Sequence, residues 1–474
     1  MVVSPIQQRS HNVMNLDAFS RHAFVMRLHP RTVLRFELRI SSNQYVNAAR
    51  EQSATSHTQV SSLASKCHGD APINGLVNQT RISRLEHAAP RTNNQHFCST
   101  CAVFLISILT MLSCGSHVES VTRAAPRPLA VAPKVRKSSE IVVVVTIDGV
   151  RWQDVFRGVD RSLGHNLGPE FATWQTAEAL TPNLHRMAMA QGVLLGDDAA
   201  PMVASSPSTV SLPGYSEIFS GRSPTCANND CPATIEPTLL DEWTSHDTSA
   251  QLTILSSWSR IPRAAAKDLS RMTVSSGQSI QVHPERFCND ARLCLQYHGG
   301  RNLPAWPGTE DYRPDQATAA LALAYLEVHQ PQFLFLGLGD TDEHAHHGDY
   351  RSYLQALHAA DATLGAIGRW LEEKEQQGHR TLLICTADHG RSHGFNHHGG
   401  APEAARVWAL FTGSVVAAHK ATVASTARLA DIAPTVRTFV GLPRDTRTNA
   451  GQSLFAKLGG MDPSTEALAI RSRE

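Results

Sequence analysis

The sequence predicts an α/β fold, a three-layer α/β/α sandwich in which helices cover both faces of a central, mainly parallel sheet. Near-continuous apolar runs are typical of strands buried on both faces, and three such runs are IVVVVTID ending at Asp148, FLFLGLGD ending at Asp340 and TLLICTAD ending at Asp388. Helical stretches at 316–328 and 350–374 alternate with these strands, as they do in parallel sheets. In such sheets ligands bind beyond the carboxyl ends of the strands.

The overall charge does not suggest a polyanion-binding protein. Lys and Arg together number 43 and Asp and Glu 42, so the formal net charge of +1 provides no global positive surface for nucleic acid or an anionic membrane. We therefore expect no nucleic-acid-binding surface. The 24 histidines are more informative, because several lie beside aspartates in the C-terminal half, where the two residue types can share a metal ion.

The chain is expected to have three parts. Residues 1–95 show no sustained helical or strand period and no catalytic cluster, so we expect them to be poorly structured. Residues 96–138 contain AVFLISILTML, which is too short to span a membrane and fits the hydrophobic region of a signal peptide, and then a linker rich in Pro, Ala and basic residues. Residues 139–474 form the expected catalytic domain.

The signal-like segment predicts export. It lies about 100 residues into the chain, where a signal is not normally recognised, so we expect the true start codon to lie downstream of Met1. The alternative is that the resemblance to a signal peptide is accidental. MLSC, which ends at Cys114, resembles a bacterial lipoprotein signal, and Cys114 is therefore a candidate lipid-anchor site that would attach the protein to a membrane. The expected location is the periplasm, either free or membrane-anchored and facing it.

Cysteine spacing predicts small loops rather than a zinc finger. The CxxC at 98–101 lacks the second ligand pair that a structural zinc site uses. Two pairs are near enough in sequence to close small loops in an oxidising compartment: Cys226 with Cys231, and Cys288 with Cys294. Cys385 lies in an apolar run and is expected to be a buried free thiol.

Three predicted strands end in an aspartate. A single aspartate at a strand end is usually a cap or turn residue. Asp148, Asp340 and Asp388 would meet at one edge of the sheet, where unpaired carboxylates repel each other unless cations hold them together. The pattern therefore favours a metal cluster.

Histidines accompany two of these aspartates. Asp340 and His344 stand four residues apart and can face one ion from adjacent helical turns. In TADHGRSHGFNHHGG, residues 386–400, Asp388 and His389 are adjacent, and the glycines permit a tight backbone path around a second ion. The alternative for both segments is a solvated, histidine-rich loop.

A hydroxyl-rich turn at 208–222, STVSLPGYSEIFSGR, supplies a candidate nucleophile. Pro213 suits the first turn of a helix beginning near Gly214, and Ser211 lies just before it. Backbone N–H groups at a helix start favour an alkoxide and a bound phosphate. Because serine is also a routine N-cap, this segment alone is weak evidence.

Taken in order, these motifs resemble the alkaline phosphatase superfamily. IDGV from Ile147, a Ser followed by an apolar residue and Pro, D-x-x-x-H, D-H-G and a later H-G cover residues 141–441 here. The sequence looks most like the nucleotide pyrophosphatase/phosphodiesterase branch. The resemblance implies an alkaline phosphatase-like fold and a hydrolase of small-molecule phosphate esters, either a phosphodiesterase or a phosphomonoesterase. It also implies a phosphoseryl intermediate and two divalent metal ions, which are zinc in most members.

The resemblance assigns a role to each matched residue. Ser211 is the implied nucleophile. The metal that activates it is implied to bind Asp148, Ser211, Asp388 and His389, and the other metal Asp340, His344 and His398. His397 is an alternative to His398, but the glycine that follows makes His398 the better match.

Two implied substrate contacts are less well defined. The branch has Asn where this chain has Gly214, and its later phosphate-contacting Asn falls in the loop CANNDC, where Asn229, or alternatively Asn228, is the implied substitute. Arg260 can supply a guanidinium to phosphate oxygens. An ordinary surface arginine is an equal alternative for Arg260.

Three competing interpretations share part of the pattern. A sulfatase has the same fold, but its C/S-x-P-x-R motif requires Arg where this chain has Tyr215. A phosphosugar mutase shares the metal ligands, but an exported one would not meet cytosolic sugar phosphates. A non-catalytic surface protein that retains the fold is disfavoured, because unused buried carboxylates and imidazoles destabilise a protein.

Overall fold

The computed structural model describes residues 140–164, 167–417 and 426–458. The predictions for residues 1–139, including the signal-like segment and Cys114, lie outside these ranges. Within them, no helix combines the length and the apolar character needed to cross a membrane.

Two sheets lie in the described part of the chain. The strands are β1 Glu140–Ile147, β2 Gly192–Leu195, β3 Met202–Val203, β4 Leu252–Ser256, β5 Thr273–Ser276, β6 Ile280–Val282, β7 Phe333–Leu338, β8 Arg380–Thr386, β9 Arg406–Val407, β10 Ala409–Thr412 and β11 Ala427–Arg428. The main sheet has the order β2-β10-β8-β1-β7-β4-β5-β6, and the small sheet has the order β11-β3-β9. Strands β8, β1, β7, β4 and β5 are parallel, whereas β10 and β6 pair antiparallel with their neighbours.

Helices fill the connections between these strands. The α-helices of the described ranges are α1 Trp152–Arg157, α2 Ala177–Leu180, α3 Pro182–Gln191, α4 Ser211–Ser220, α5 Leu239–His246, α6 Pro262–Ala265, α7 Ala291–Arg301, α8 Asp315–His329, α9 Asp340–His346, α10 Tyr350–Gln376 and α11 Ile432–Val440. Short 3-10 helices occupy Pro169–Trp174, Leu269–Arg271, Pro284–Cys288, Pro402–Ala405 and Leu429–Asp431. The helical stretches predicted at 316–328 and 350–374 lie within α8 and α10.

Apolar side chains on the two faces of the sheet form separate cores. Along β1, Val142 and Val144 belong to the core that includes residues of α4, α5 and α11, whereas Val143 and Val145 belong to the core that includes residues of α3, α8 and α10. Successive strand residues point to opposite faces, so helices cover both faces of the sheet. The predicted three-layer α/β/α sandwich with a mainly parallel sheet is confirmed.

The longest helix shows how the sequence specifies one of these layers. Asp349 caps α10 by accepting a hydrogen bond from the backbone N–H of Ser352 at 3.0 Å. Leu357, Leu364 and Leu371 recur every seven residues on its buried side, which packs on the core.

The cysteine predictions that fall within the described ranges are also confirmed, whereas the CxxC at 98–101 lies outside them. Disulfides join Cys226 to Cys231 and Cys288 to Cys294. Cys385 is a buried free thiol in β8.

Candidate metal centre

Two aspartates leave adjacent strands at the same level. Thr146 of β1 lies opposite Thr386 of β8, and Asp148 and Asp388 each follow two residues later. Burial, together with the charge of Asp342, raises the pKa of Asp388 to about 7. Burial, followed by repulsion from Asp388, raises the pKa of Asp148 well above its usual value. A bound cation would relieve both effects.

One oxygen of Asp388 is left for a ligand. Its Oδ1 accepts a hydrogen bond from the backbone N–H of Gly149 at 3.1 Å. Its Oδ2 is buried and has no hydrogen-bond partner among the described residues. Buried polar atoms are normally paired, so this oxygen fits a metal ligand.

His389 presents an unprotonated nitrogen to these carboxylates. Its Nδ1 lies 2.8 Å from the carbonyl oxygen of Gly390 and donates its proton there, which leaves a lone pair on Nε2. Nε2 lies 3.5 Å from Oδ1 of Asp148 and 3.5 Å from Oδ2 of Asp388. Burial lowers the pKa of His389 to about 4, so the ring is neutral at pH 7, as metal binding requires.

Ser211 is the first residue of α4 and faces the same point. Its Oγ lies 3.2 Å from Nε2 of His389 and 3.4 Å from Oδ1 of Asp148. Gly214, one turn later, packs against the end of β8, where a Cβ would overlap the carbonyl oxygen of Asp388. A glycine at position 214 therefore lets α4 approach the metal-binding edge of the sheet.

A second group of ligand atoms surrounds His398. Its Nδ1 lies 2.7 Å from the carbonyl oxygen of Thr209, and its Nε2 lies 3.1 Å from Nε2 of His346. His346 Nε2 is also 3.0 Å from Oδ2 of Asp342. One ligand atom from each of Asp342, His346 and His398 lies within 4.8 Å of the others. His397 is exposed, so the predicted choice of His398 over His397 agrees with the geometry.

The two groups are adjacent. Asp342 also belongs to a set with Asp148 and His389 whose ligand atoms lie within 4.8 Å of one another. The rings of His389 and His398 stack with their centroids 4.1 Å apart. We call the combined set the ligand cluster: Asp148, Asp342, His346, Asp388, His389 and His398.

The structure does not bring the predicted ligands Asp340 and His344 into this cluster. Oδ1 of Asp340 accepts hydrogen bonds from the hydroxyl of Tyr312 at 2.8 Å and from the backbone N–H of Asp315 at 3.2 Å. The ring of His344 faces Trp306, with centroids 6.3 Å apart. This corrects the predicted register of the D-x-x-x-H motif, which the structure shifts by two residues to Asp342 and His346.

Helix geometry explains the shift. Two pairs in α9 have the same four-residue spacing, but an offset of two residues rotates a side chain by about 200° around the helix. The hydroxyl of Thr341 donates to the carbonyl oxygen of Asp148 at 2.6 Å, which turns the following residue, Asp342, towards β1. Spacing alone did not reveal which pair faces the sheet.

Arg391 is a further residue of the site that sequence reasoning missed. Its buried guanidinium contacts Oδ1 of Asp342. Burial would raise the pKa of Asp342, but Arg391 and then His346 outweigh burial and hold this pKa well below its usual value. The signal in the sequence was a cation directly after the D-H-G motif.

The two predicted substrate contacts lie beside the start of α4. Oδ1 of Asn229 accepts a hydrogen bond from the backbone N–H of Leu212 at 2.9 Å. Arg260 donates from Nη1 to the carbonyl oxygen of Asn229 at 2.8 Å and to Asp230 at 2.9 Å. The side chain of Asn228 instead accepts from the backbone N–H of Asp230 at 2.9 Å. Of the two asparagines, Asn229 is therefore the one whose side chain contacts the start of α4.

Comparison with known proteins gives matches in sequence and in fold. A phosphoglycerate mutase of Mesomycoplasma hyopneumoniae (strain 232), of the 2,3-bisphosphoglycerate-independent kind, is 26% identical over 132 residues, which are 28% of this chain. The aligned part spans only 24% of that relative. The structure of wild-type alkaline phosphatase PafA has a TM-score of 0.48 at 12% identity and covers 68% of this chain and 99% of that one. Phosphonate monoester hydrolase of Agrobacterium radiobacter has a TM-score of 0.44 at 15% identity, covering 68% of this chain and 78% of that one.

A family model locates the relationship more closely. Residues 305–444 match the model described as the Metalloenzyme superfamily. This range contains most of the ligand cluster, from Asp342 to His398. This segment of the chain is therefore similar to the Metalloenzyme superfamily.

Proposed function

We propose that this protein hydrolyses small-molecule phosphate esters through a phosphoseryl intermediate on Ser211. The observation that carries the proposal is the position of the Ser211 Oγ, 3.2 Å from Nε2 of His389 and 3.4 Å from Oδ1 of Asp148 at the start of α4. A hydroxyl among unprotonated ligand atoms is suited to ionise when cations are bound, and an alkoxide is the required nucleophile.

The ligand cluster fits two divalent ions. Ser211 with Asp148, Asp388 and His389 would hold one ion, and Asp342, His346 and His398 would hold the other. Mixed imidazole and carboxylate ligands suit zinc, which is our proposed metal. When bound, the ions would lower the pKa of the serine hydroxyl and neutralise charge on the phosphoryl oxygens.

The residues of the chain supply the remaining steps. Oγ of Ser211 forms a bond to phosphorus as the bond to the leaving oxygen breaks, and water then hydrolyses the phosphoserine, with net retention at phosphorus. Asn229 supports the start of α4 through Leu212, and Arg260 holds the backbone of Asn229. We propose that these two residues border the phosphate, although Arg260 is also paired with Asp230 and Glu310.

A sulfatase remains the competing function within this fold. Sulfatases require Arg at the position of Tyr215. Here the hydroxyl of Tyr215 donates to Oδ2 of Asp148 at 2.8 Å, so the side chain orients a proposed metal ligand. Because the Arg of the sulfatase motif is absent here, we propose phosphate-ester hydrolysis, within the nucleotide pyrophosphatase/phosphodiesterase branch.

A substrate panel with trapping of the intermediate tests the proposal. The zinc-loaded protein is assayed with 4-nitrophenyl phosphate, bis(4-nitrophenyl) phosphate and 4-nitrophenyl sulfate, and samples are quenched in acid during turnover. We expect turnover of at least one phosphate ester and phosphate on the peptide containing Ser211, both absent in Ser211→Ala. Turnover of the sulfate alone would refute the proposal. A label on Ser208 or Thr209, with Ser211→Ala still active, would show that the labelled residue is the nucleophile instead of Ser211.

We also propose that the protein is exported to the periplasm, either free or attached to a membrane through a lipid anchor at Cys114. Two disulfides within the described residues support an oxidising compartment. Lipid labelling in cells that is lost in Cys114→Ser would agree with this proposal. A wild-type protein found in the cytosol without lipid would contradict it.

A further inference from the structure

A polar cavity lies apart from the ligand cluster. It has a volume of about 540 Å³ and lies between α11 and the segment that follows that helix. Its wall includes Arg437, Thr438, Arg444, Asp445, Gln452 and Ser453. The proposed function uses none of these residues.

The guanidinium of Arg437 is incompletely paired. Its side chain is 2% exposed, and its Nε donates to Oε2 of Glu242 at 2.7 Å. Its Nη1 and Nη2 are buried and have no hydrogen-bond partner among the described residues. Unpaired buried donors destabilise a protein, and Arg437 belongs to the cavity wall, so its incompletely paired positive charge favours an anion in the cavity.

The surroundings of the cavity carry excess positive charge. Three arginines share two carboxylates there: Arg437 and Arg447 contact Glu242, and Arg447 and Arg222 contact Asp445. Arg444 adds an exposed guanidinium that makes no hydrogen bond or ion pair within the described ranges. A ligand that completes this arrangement must therefore be an anion.

The cavity lies at the end of α4 opposite Ser211. Helix α4 ends at Ser220. The carbonyl oxygen of the next residue, Gly221, accepts a hydrogen bond from the backbone N–H of Gly451 in the cavity wall at 2.8 Å. A ten-residue helix is about 15 Å long. An anion here would therefore not contact the ligand cluster.

We propose that this cavity binds a small anionic molecule whose charged group is a phosphate or a carboxylate, held by Arg437 and Arg444. A planar guanidinium matches both groups through paired N–H donors. Gln452, Ser453 and Thr438 add neutral hydrogen-bonding groups that suit the remainder of a molecule larger than the bare ion.

Calorimetric titration tests this site without relying on turnover. The full-length His346→Ala variant is used as the background, because it lacks one ligand of the proposed catalytic metals, and sodium phosphate and sodium succinate are the probes. We expect at least one probe to bind saturably, one per chain, up to about 10 mM. Arg444→Gln should weaken that binding at least about tenfold, equivalent to one decade in Kd.

Two further variants secure the interpretation. Arg437→Gln should weaken the same binding, and circular dichroism checks that this variant folds. If it does not fold, the result for the exposed Arg444 decides the test. Arg292→Gln, which removes a 68% exposed arginine of α7, is the charge-matched control and should bind as the background does. Absence of saturable binding by either probe, or equal binding in Arg444→Gln, would overturn the proposal. Neither result bears on hydrolysis at Ser211.

Discussion

The Nε2 atoms of His346 and His398 lie 3.1 Å apart, each at the tip of a ring that reaches the same point from a different element. Because Nδ1 of His398 donates to Thr209, its Nε2 has only a lone pair to offer. A proton on His346 can bridge the two nitrogens, and a metal ion can replace that proton. This relationship leads to the most direct test of the corrected ligand register.

Replacing His346 should be far more damaging than replacing His344. We expect His346→Ala to lose one of the two metal ions and roughly 100-fold in kcat/KM, equivalent to about 2.7 kcal/mol of transition-state stabilisation. His344→Ala, the matched control from the same helix, should keep both ions and most activity. Elemental analysis and steady-state kinetics measure both outcomes. The reverse pattern would restore the register first predicted from the sequence.

Removing Arg391 should destabilise the metal-free protein. Arg391→Met leaves the buried Asp342 carboxylate without its main partner, and breaking such a pair costs about 3–5 kcal/mol. Because the folded-state pKa of Asp342 is depressed, its contribution is present at neutral pH and is lost as the pH falls through that depressed value. Urea unfolding with EDTA and with zinc measures the effect, and zinc should restore part of it.

A charge-preserving variant tests whether the positive charge of Arg391 or the shape of its guanidinium stabilises the protein. Arg391→Lys keeps a cation near Asp342 and should lose less stability than Arg391→Met. Equal stability of Arg391→Met and wild type in EDTA would show that Asp342 does not depend on this partner.

The parts of the fold that follow from local pattern were predictable. The strand run ending at Asp148 is β-branched and buried on both faces, and these features identify a central strand without any long-range information. The antiparallel strands β2 and β10 are short, four residues each, and their pairing depends on contacts distant in sequence. Such pairing is not encoded in a local period.

The sequence predicted the kinds of residue in the ligand cluster, but it did not predict which Asp and His of α9 belong to it. Asp148, Asp388 and His389 follow strand ends, and His398 precedes two glycines, so the order of motifs located them. Asp342 and His346 were missed because α9 offers the same spacing twice, and the helix rotation that decides between them is set by tertiary contacts such as Thr341 to Asp148. Arg391 was not predicted as part of the site, because its contact with Asp342 depends on the tertiary structure.

We expect the carboxylate of Glu217, in the same helix as Ser211, to stabilise the folded protein. This residue of α4 is buried, and its carboxylate accepts hydrogen bonds from the backbone N–H groups of Ser205, Ser206 and Ala430. Glu217→Gln replaces one accepting oxygen by a donor, which should lower the free energy of unfolding by about 1–3 kcal/mol. Denaturant unfolding checks this value. An unchanged midpoint and slope would show that the acceptor is dispensable.

The last prediction concerns Asn229, whose side chain meets the backbone beside the nucleophile. Its Oδ1 accepts from the N–H of Leu212 at 2.9 Å, and the Cys226–Cys231 disulfide closes the loop that carries it. Asn229→Ala frees that N–H and loosens the start of α4, so kcat/KM should fall roughly tenfold, about 1.4 kcal/mol, while both metal ions remain bound.

The neighbouring asparagine provides a matched control for this prediction. The side chain of Asn228 accepts only from the backbone N–H of Asp230 within the described residues, so Asn228→Ala should stay close to wild type. Reduction of the Cys226–Cys231 disulfide should move the wild-type enzyme towards the Asn229→Ala rate, because the loop then loses its closure. The same reduction should have little effect on Asn229→Ala, which already lacks the contact. Additive losses would mean that the disulfide acts on the site by a route other than Asn229.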